Sequence, residues 1–227
     1  MTGGKIDPAS GMPGEAVPGL LAADPRLGRL ILQVGEYRPR RDPARSPFAP
    51  LTRAIVYQQL TGKAAATILN RVKTAIGGGR MPTPQRVLAA SEAALRAAGL
   101  SGSKIAALRD LAEKSVTGEV PSLARLRRLD DEAVIETLTR VRGVGRWTAE
   151  MFLIFTLGRP DVLPVTDYGV RKGFGQVFNR GRLPEPEEIS RRGERWRPYR
   201  SVATWYLWRA AEAAPRGSVL LDSPARR

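Results

Sequence analysis

The stretch V-R-G-V-G-R-W-T-A, residues 141–149, decides the fold prediction for this chain. Gly143 and Gly145 stand two positions apart, and glycine permits positive φ angles and a close approach of the backbone to a neighbour. Val144 lies between them, where it can anchor the turn in a core. A helix that begins directly after Gly145 directs its unpaired N–H groups outward, toward an anion. The stretch therefore predicts a hairpin between two helices.

Such a hairpin is either an ordinary turn between helices or a grip on a DNA phosphate that does not read base sequence. The apolar pattern on both sides and the letters W-T-A at 147–149 favour DNA. We predict that the phosphate contacts come from Gly143, Gly145, Arg146 and Thr148.

Helical spacing of apolar residues continues on both sides of the hairpin. Asp130 or Asp131 caps a helix that runs to Arg140, and another helix covers 146–157. Further helices are predicted over 26–34, from near Phe48 through Gln59, over 63–76, after Thr83 and after Ser91, and over 104–116, 167–178 and 198–214. No convincing alternating strand pattern is found. The predicted fold is all-α, with about ten helices and short loops.

The composition restricts the chemistry that the chain can perform. Its 227 residues include 37 Lys and Arg, 22 Asp and Glu, no cysteine and no histidine, which gives a formal net charge of +15. The missing cysteines exclude disulfides, zinc fingers, cysteine-ligated iron–sulfur clusters and thiol nucleophiles. The missing histidines exclude Ser-His-Asp and Cys-His catalysis. The positive charge favours a polyanionic partner, although soluble basic proteins of other kinds also occur.

One aspartate in R-P-D-V-L-P-V-T-D, residues 159–167, stands out by its position. Asp167 follows an extended, proline-containing approach and precedes an apolar helix. It is therefore a helix N-cap, which is a common structural role. A carboxylate fixed at a helix N-terminus can also stabilise an oxocarbenium-like sugar or direct water onto it. Asp161 competes for this role, but we interpret it as a turn residue.

Aromatic residues are concentrated near the C-terminus, and aromatic faces stack on extruded bases and attract cationic ones. A core helix that uses aromatics as bulk explains any single one of them equally simply. The cluster consists of Trp196, Tyr199, Trp205, Tyr206 and Trp208.

Taken together, five ordered motifs resemble the helix-hairpin-helix–GPD superfamily of base-excision DNA glycosylases, in particular its alkylation-repair branch of the 3-methyladenine DNA glycosylase II type. The resemblance covers roughly residues 24–210. The motifs are A-I-V-Y-Q-Q-L at 54–60, G-L-S-G-S-K at 99–104, R-G-V-G-R-W-T-A-E-M at 142–151, R-P-D-V-L-P-V-T-D at 159–167 and W-R-P-Y-R-S at 196–201. The resemblance implies two helical lobes with an active-site cleft between them.

The resemblance also assigns roles to individual residues. Asp167 matches the essential aspartate of the family, and Trp147 and Trp208 fall at positions that line its base pocket. We add Met151 and Tyr168 to this pocket. One glutamine, either Gln59 or Gln58, falls where the family inserts a side chain into the gap left by the extruded nucleotide.

A structural ion and a missing activity are implied in the same way. The backbone carbonyls of Thr139, Val141 and Val144 match those that hold Na⁺ or K⁺ in the family's hairpin. No cofactor is expected for catalysis, and no iron–sulfur cluster is expected. Family members that also cut the DNA strand carry a lysine where Trp147 stands, so we predict no lyase step. The nearest lysine in the sequence, Lys172, belongs to a different helix.

The domain predictions follow the two lobes. Residues 20–60 and 160–214 form one discontinuous lobe, and residues 61–159 form the other, with the hairpin motif at 131–157. Residues 1–19 are predicted to be a disordered tail, and 215–227 a second tail. The N-terminal residues carry no apolar signal region and no stretch is long enough to span a bilayer, so we expect a cytoplasmic monomer, nucleoid-associated if bacterial, with no membrane partner.

The resemblance implies that the chain removes alkylated bases, of the 3-methyladenine and 7-methylguanine type, from damaged double-stranded DNA by N-glycosidic hydrolysis. Two alternatives stay open from the sequence. One is a glycosylase for deaminated or oxidised bases, and the other is a helix-hairpin-helix DNA-binding protein without catalysis.

Overall fold

A computed structural model describes residues 14–39 and 44–213. It confirms the all-α prediction, because the described residues form helices and contain no strand. The helices are α1 Ala16–Ala23, α2 Pro25–Val34, α3 Phe48–Tyr57, α4 Gly62–Gly77, α5 Pro84–Ala89, α6 Glu92–Ala97, α7 Gly102–Thr117, α8 Leu123–Leu126, α9 Asp131–Thr139, α10 Arg146–Phe152, α11 Tyr168–Phe178, α12 Pro186–Gly193 and α13 Arg200–Ala213. A π-helical turn, Leu153–Leu157, continues α10, and a 3₁₀ turn, Glu194–Trp196, follows α12.

Most helices begin where a short polar side chain accepts a hydrogen bond from the first turn, which satisfies backbone donors that have no partner inside the helix. These caps explain why the first residue of most helices could be predicted from the sequence to within one or two positions. The capping side chains are those of Asp24, Thr61, Thr83, Ser91, Ser101, Ser122, Asp130 and Asp167.

Several element predictions were wrong. Residues 16–19, placed in a disordered tail, belong to α1, where Ala16 and Leu20 are buried. The helix from Phe48 ends at Tyr57 and not at Gln59. The short helices α8 and α12 were missed. Helix α8 has only four residues, and α12 carries a single large apolar side chain, Ile189, apart from its first proline, so neither shows a helical spacing of apolar residues. Residues 1–13 and the tail at 215–227 lie outside the described residues.

The chain divides into two compact units. Of the described residues, 14–39 and 158–213 belong to the first unit, and 44–157 belong to the second. In the first unit α11 packs on α13, and the largest fully buried side chains are those of Trp196 and Tyr206. The carboxylate of Asp24, itself fully buried, caps α2 and accepts hydrogen bonds from Arg192 and from the Trp196 indole.

The boundary of the second unit corrects the domain prediction. Residues 42–60 were placed in the discontinuous lobe, but α3 packs against α4 and α7 and belongs with the hairpin. Ile55 and Val56 are completely buried there. The sequence did not reveal this, because an amphipathic helix shows which face is buried but not against which neighbour. No helix in the described part of the chain has the length and apolar character that crossing a membrane requires.

Candidate DNA-binding hairpin and active-site residues

The predicted hairpin is present between α9 and α10. Val141 and Val144 are buried, and the Val144 N–H donates to the Val141 carbonyl over 3.0 Å. Gly143 adopts φ +76°, a left-handed conformation that favours glycine. Gly145 is the N-cap of α10 and provides no capping side chain to the first turn. The hairpin thus presents first-turn N–H groups, which suit a phosphate.

Two side chains outside the hairpin hold its backbone. The Asp110 carboxylate of α7 accepts the Arg142 N–H over 2.7 Å, and the Gln58 amide donates to the Gly143 carbonyl over 2.7 Å. Burial alone would raise the pKa of Asp110, but Lys114 and the Arg142 N–H hold it below its ordinary value. The carboxylate is therefore stabilised in the ionised form that accepts both bonds.

The structure limits how two predicted phosphate ligands can act. The Arg146 guanidinium pairs with Glu132 through both terminal nitrogens, at 2.9 and 2.5 Å, and its Nε lies 3.2 Å from Glu150. Hydrogen bonding to Glu132 raises the pKa of Arg146. Thr148 is buried, with 5% of its surface exposed. Contacts from these two residues to a phosphate would therefore come from the backbone, and the prediction of phosphate binding itself stays untested.

The predicted cation ligands suit an alkali ion by their chemistry. Backbone carbonyl oxygens are hard, neutral donors, the type that Na⁺ and K⁺ accept. The Val141 carbonyl accepts the Val144 N–H and retains a second lone pair, and the Gly143 carbonyl is bonded to Gln58. Thr139, Val141 and Val144 therefore remain the residues that would hold a hairpin cation, and this stays a prediction.

The turn after α3 separates the two glutamines that the sequence could not distinguish. Gln58 is bonded to the hairpin, whereas Gln59 is exposed and adopts φ +56°, which a non-glycine residue rarely adopts. Leu60 follows with 38% of its surface exposed. Leu60 was not among the predicted intercalation residues. A leucine that ends A-I-V-Y-Q-Q-L on a polar turn is nevertheless a usable signal, because apolar side chains can insert between base steps. Gln59 and Leu60 are thus the intercalation candidates.

The predicted base-pocket residues lie in two places. Trp147 and Met151 stand one helical turn apart on α10, in the second unit, and Trp147 is 46% exposed although it is large and apolar. Trp208 on α13 and Tyr168 at the start of α11 belong to the first unit. Tyr168 is 69% exposed. The structure thus brings Trp147 together with Met151, and Trp208 together with the predicted catalytic aspartate.

Asp167 is the N-cap of α11, as predicted. Its Oδ1 accepts the Val170 N–H over 2.8 Å and the indole N–H of Trp208 over 2.8 Å. Two donors on one oxygen fix the rotation of the carboxylate. The structural and the functional interpretations of Asp167 are therefore compatible in the actual geometry, since capping orients the group.

Two glycines of α11 make the contact with Trp208 sterically feasible. A Cβ added at Gly169 would lie 2.8 Å from Trp208 Cδ1, and one added at Gly173 would lie 1.9 Å from the Leu207 carbonyl oxygen. Real side chains do not tolerate such distances. The glycines, four residues apart and hence on one helix face, let α11 approach α13 closely enough for the indole to reach Asp167.

The segment that leads to Asp167 is bonded to the start of α13 and to the residues just before it. Asp161, interpreted from the sequence as a turn residue, accepts hydrogen bonds from Arg200 at 2.7 and 2.9 Å and from Arg197 at 2.7 Å. The fully buried Ser201 donates to the Arg159 carbonyl and accepts the Val162 N–H. These contacts hold the beginning of the approach, at residues 159–162, and Asp161 is a turn residue with a positioning role.

The family comparison agrees with this geometry. Residues 52–198, more than half of the chain, match the HhH-GPD superfamily of base excision DNA repair proteins. The chain therefore belongs to that superfamily.

Within the superfamily, the chain is similar to several proteins named as 3-methyladenine DNA glycosylases. It is 38% identical over 196 residues to DNA-3-methyladenine glycosylase 1 of Schizosaccharomyces pombe, covering 86% of each protein. A solved 3-methyladenine DNA glycosylase of the same organism, in complex with abasic DNA, is similar with a TM-score of 0.80 and 37% identity over 88% of this chain and 98% of that one. A DNA-3-methyladenine glycosidase from Bacillus halodurans is similar with a TM-score of 0.80 and 38% identity over 87% and 89% of the two chains.

Proposed function

We propose that this chain is a monofunctional DNA glycosylase of the type II group that hydrolyses the N-glycosidic bond of 3-methyladenine, 7-methylguanine and similar alkylated bases in double-stranded DNA. The observation that carries the proposal is the oriented carboxylate of Asp167, held by the Val170 and Trp208 N–H groups, in a member of a DNA-repair superfamily. The names of its relatives, 3-methyladenine glycosylases, support the substrate class.

Binding begins with the charge of the chain and the hairpin. A net charge of +15 attracts duplex DNA, and the N-terminus of α10, which Gly145 leaves without a side-chain cap, receives one phosphate. The damaged nucleotide is extruded, at a cost of a few kcal/mol that is least for bases that pair poorly. Gln59 or Leu60 fills the gap, and the exposed ring of Trp147 stacks on the cationic base.

The chemistry then needs one fixed carboxylate. A base alkylated at N3 or N7 carries a formal positive charge, so the bond to C1′ breaks with its electron pair moving onto the base, which leaves neutral. Positive charge develops on the sugar, and Asp167 stabilises it through space or directs water to C1′. Water adds its oxygen to C1′ and loses a proton to solvent, which leaves an abasic site. No general acid is required, which suits a chain without histidine.

The lysines support the absence of a lyase step. Strand cleavage needs a neutral amine that attacks C1′ to form a Schiff base. Trp147 stands at the position where bifunctional relatives carry that lysine, and the Lys172 ammonium donates to the Ala211 carbonyl over 2.8 Å at the end of α13. Lys172 therefore stabilises a helix terminus rather than presenting an amine to the sugar.

One assay distinguishes the proposal from its alternatives. The protein is incubated separately with methylated duplex DNA and with duplexes that contain hypoxanthine or 8-oxoguanine, and the released bases are quantified. Release of 3-methyladenine and 7-methylguanine, with strand scission only after alkali, supports the proposal. Release only of hypoxanthine or 8-oxoguanine indicates the deaminated- or oxidised-base alternative, and binding without release indicates a non-catalytic protein. Scission before alkali would refute the monofunctional assignment.

A further inference from the structure

Helix α7 carries two charged side chains, on opposite halves of the helix, that have no role in the function proposed above. The Lys104 ammonium donates to the Val56 carbonyl over 2.7 Å and to the Gln58 carbonyl over 2.9 Å, at the end of α3. The last carbonyls of a helix lack intrahelical partners, and a cation there satisfies them and opposes the helix dipole favourably. Lys104 thereby fixes the backbone from which Gln59 and Leu60 project.

Asp110 stands six residues after Lys104 on the same helix and holds the hairpin. Its carboxylate accepts the Arg142 N–H over 2.7 Å and pairs with Lys114. The same helix is thus bonded to the intercalation turn near its first residues and to the hairpin near its middle. Since an α-helix rises about 1.5 Å per residue, α7 sets the distance along its axis between these two contacts.

Gln58 closes the connection directly. Its carbonyl accepts from Lys104, and its side-chain amide donates to the Gly143 carbonyl over 2.7 Å. The turn, the hairpin and α7 therefore form a triangle of three hydrogen-bonded connections, all within the second unit.

The partial burial of Lys104 indicates that this arrangement has an energetic cost. Desolvation lowers the pKa of Lys104, since burial disfavours the charged ammonium. An apolar residue of similar length would fill the same space without that cost but would leave the two carbonyls without their donor. The lysine therefore fixes the positions of the Val56 and Gln58 carbonyls, which an apolar side chain could not do.

We propose that Lys104, Gln58 and Asp110 are positioning residues that fix the intercalation turn, residues 58–60, relative to the phosphate-binding hairpin. The side chain that replaces the extruded base is then held at a set position relative to the phosphate that the hairpin binds. This proposal rests on the proposed function. A side chain entering the duplex must lie at a set distance from the gripped phosphate, and a misplacement of about 1 Å costs roughly a hundredfold in rate.

Two substrates separate positioning from a general structural effect. One duplex carries 7-methylguanine paired with cytosine, and the other carries the same base in a single-nucleotide bulge, where little pairing has to be broken. Single-turnover release is compared for the wild type, Lys104→Met, Gln58→Met and Lys104→Arg. Lys73→Met is the control, because it removes the same charge from the last turns of α4.

We expect Lys104→Met and Gln58→Met to slow release from the paired substrate roughly ten- to a hundredfold, while release from the bulge changes by less than about threefold. Lys104→Arg, which retains a cationic donor, should recover most of the paired rate, and Lys73→Met should match the wild type on both substrates. Equal losses on both substrates, or no loss on either, would overturn the proposal. Thermal melting of each variant identifies any that fails to fold, and Lys104→Gln then replaces Lys104→Met.

A second readout does not depend on catalysis. A 2-aminopurine placed beside an abasic site brightens when binding unstacks it, so it reports insertion even if the wild type releases no base and the proposed function fails. The positioning proposal predicts that Lys104→Met and Gln58→Met weaken this fluorescence rise at saturating protein. A rise equal to that of the wild type, or no rise with the wild type, would contradict it.

Discussion

Two helix N-termini of this chain differ in the residue that caps them. Helix α10 begins after Gly145, which offers no side chain to its first turn, and helix α11 begins after Asp167, whose carboxylate occupies that place. Both termini carry the partial positive charge of a helix dipole. In the first case an external anion can bind the N–H groups, and in the second the chain supplies its own anion and orients it.

The difference shows how one backbone feature serves two purposes. A glycine cap leaves the N–H groups of the first turn available for a phosphate. An aspartate cap accepts a hydrogen bond from one of those N–H groups with its own carboxylate, which is thereby fixed in place. The indole N–H of Trp208 adds a second donor at Asp167, and the glycine face of α11 permits its approach. Binding and bond cleavage are therefore expected to respond separately to changes at the two termini.

The largest expected effect comes from removing the charge at α11. Asp167→Asn should reduce the rate of base release by about a thousandfold or more, since electrostatic stabilisation of the developing cation is lost. Asparagine remains a good N-cap, so we expect the melting temperature to stay nearly unchanged. Release of 7-methylguanine under single-turnover conditions measures the effect, and a rate close to that of the wild type would remove Asp167 from the mechanism.

The second effect comes from a substitution that prevents the close packing of α11 on α13. Gly173→Ala would place a methyl group 1.9 Å from the Leu207 carbonyl, so the helices must separate. We expect about 2–3 kcal/mol of destabilisation from this overpacking. Thermal or urea unfolding measures it, and Gly62→Ala is the matched control, because its Cβ meets open space at the start of α4. Equal stability of the two variants would show that the glycine face is not required.

The third change gives α10 an aspartate N-cap like that of α11. Gly145→Asp places a carboxylate where the phosphate is expected, and the backbone at φ −92° and ψ 174° accepts a side chain. We expect DNA affinity to fall about tenfold or more and the salt dependence of log Kd to decrease by about one phosphate contact. Fluorescence anisotropy at several salt concentrations measures both quantities.

Gly145→Ala is the control for that variant, because its Cβ also meets open space and carries no charge. An affinity loss as large as that of Gly145→Asp would attribute the effect to bulk rather than to charge. Unchanged binding by Gly145→Asp would show that this terminus does not hold a phosphate.

The smallest effect concerns the second donor to Asp167. Trp208→Phe keeps an aromatic face but removes the N–H that lies 2.8 Å from Oδ1. We expect a loss of about tenfold in the rate of release, comparable to one hydrogen bond to a charged group of roughly 1.5 kcal/mol, with little change in Kd. A change confined to Kd would indicate that Trp208 acts through stacking alone.

Local signals explain which features could be predicted from the sequence. The cap at Asp167 and the glycines of the hairpin follow from rules that involve only neighbouring residues, and the structure contains both. The roles of Gln58, Arg146 and Asp161 depend on partners 14 to 85 residues away, so spacing along the chain could not reveal them. The placement of α3 failed for the same reason, because its neighbour α7 is distant in sequence.

The most direct test of the account is a titration of the single-turnover release rate against protein concentration for the wild type, Gly145→Asp and Asp167→Asn. Each curve yields a half-saturating concentration and a plateau rate. The account predicts that Gly145→Asp raises the half-saturating concentration about tenfold and keeps the plateau, whereas Asp167→Asn lowers the plateau and keeps the half-saturating concentration. If both variants change the same parameter, the separation of binding at α10 from catalysis at α11 is wrong.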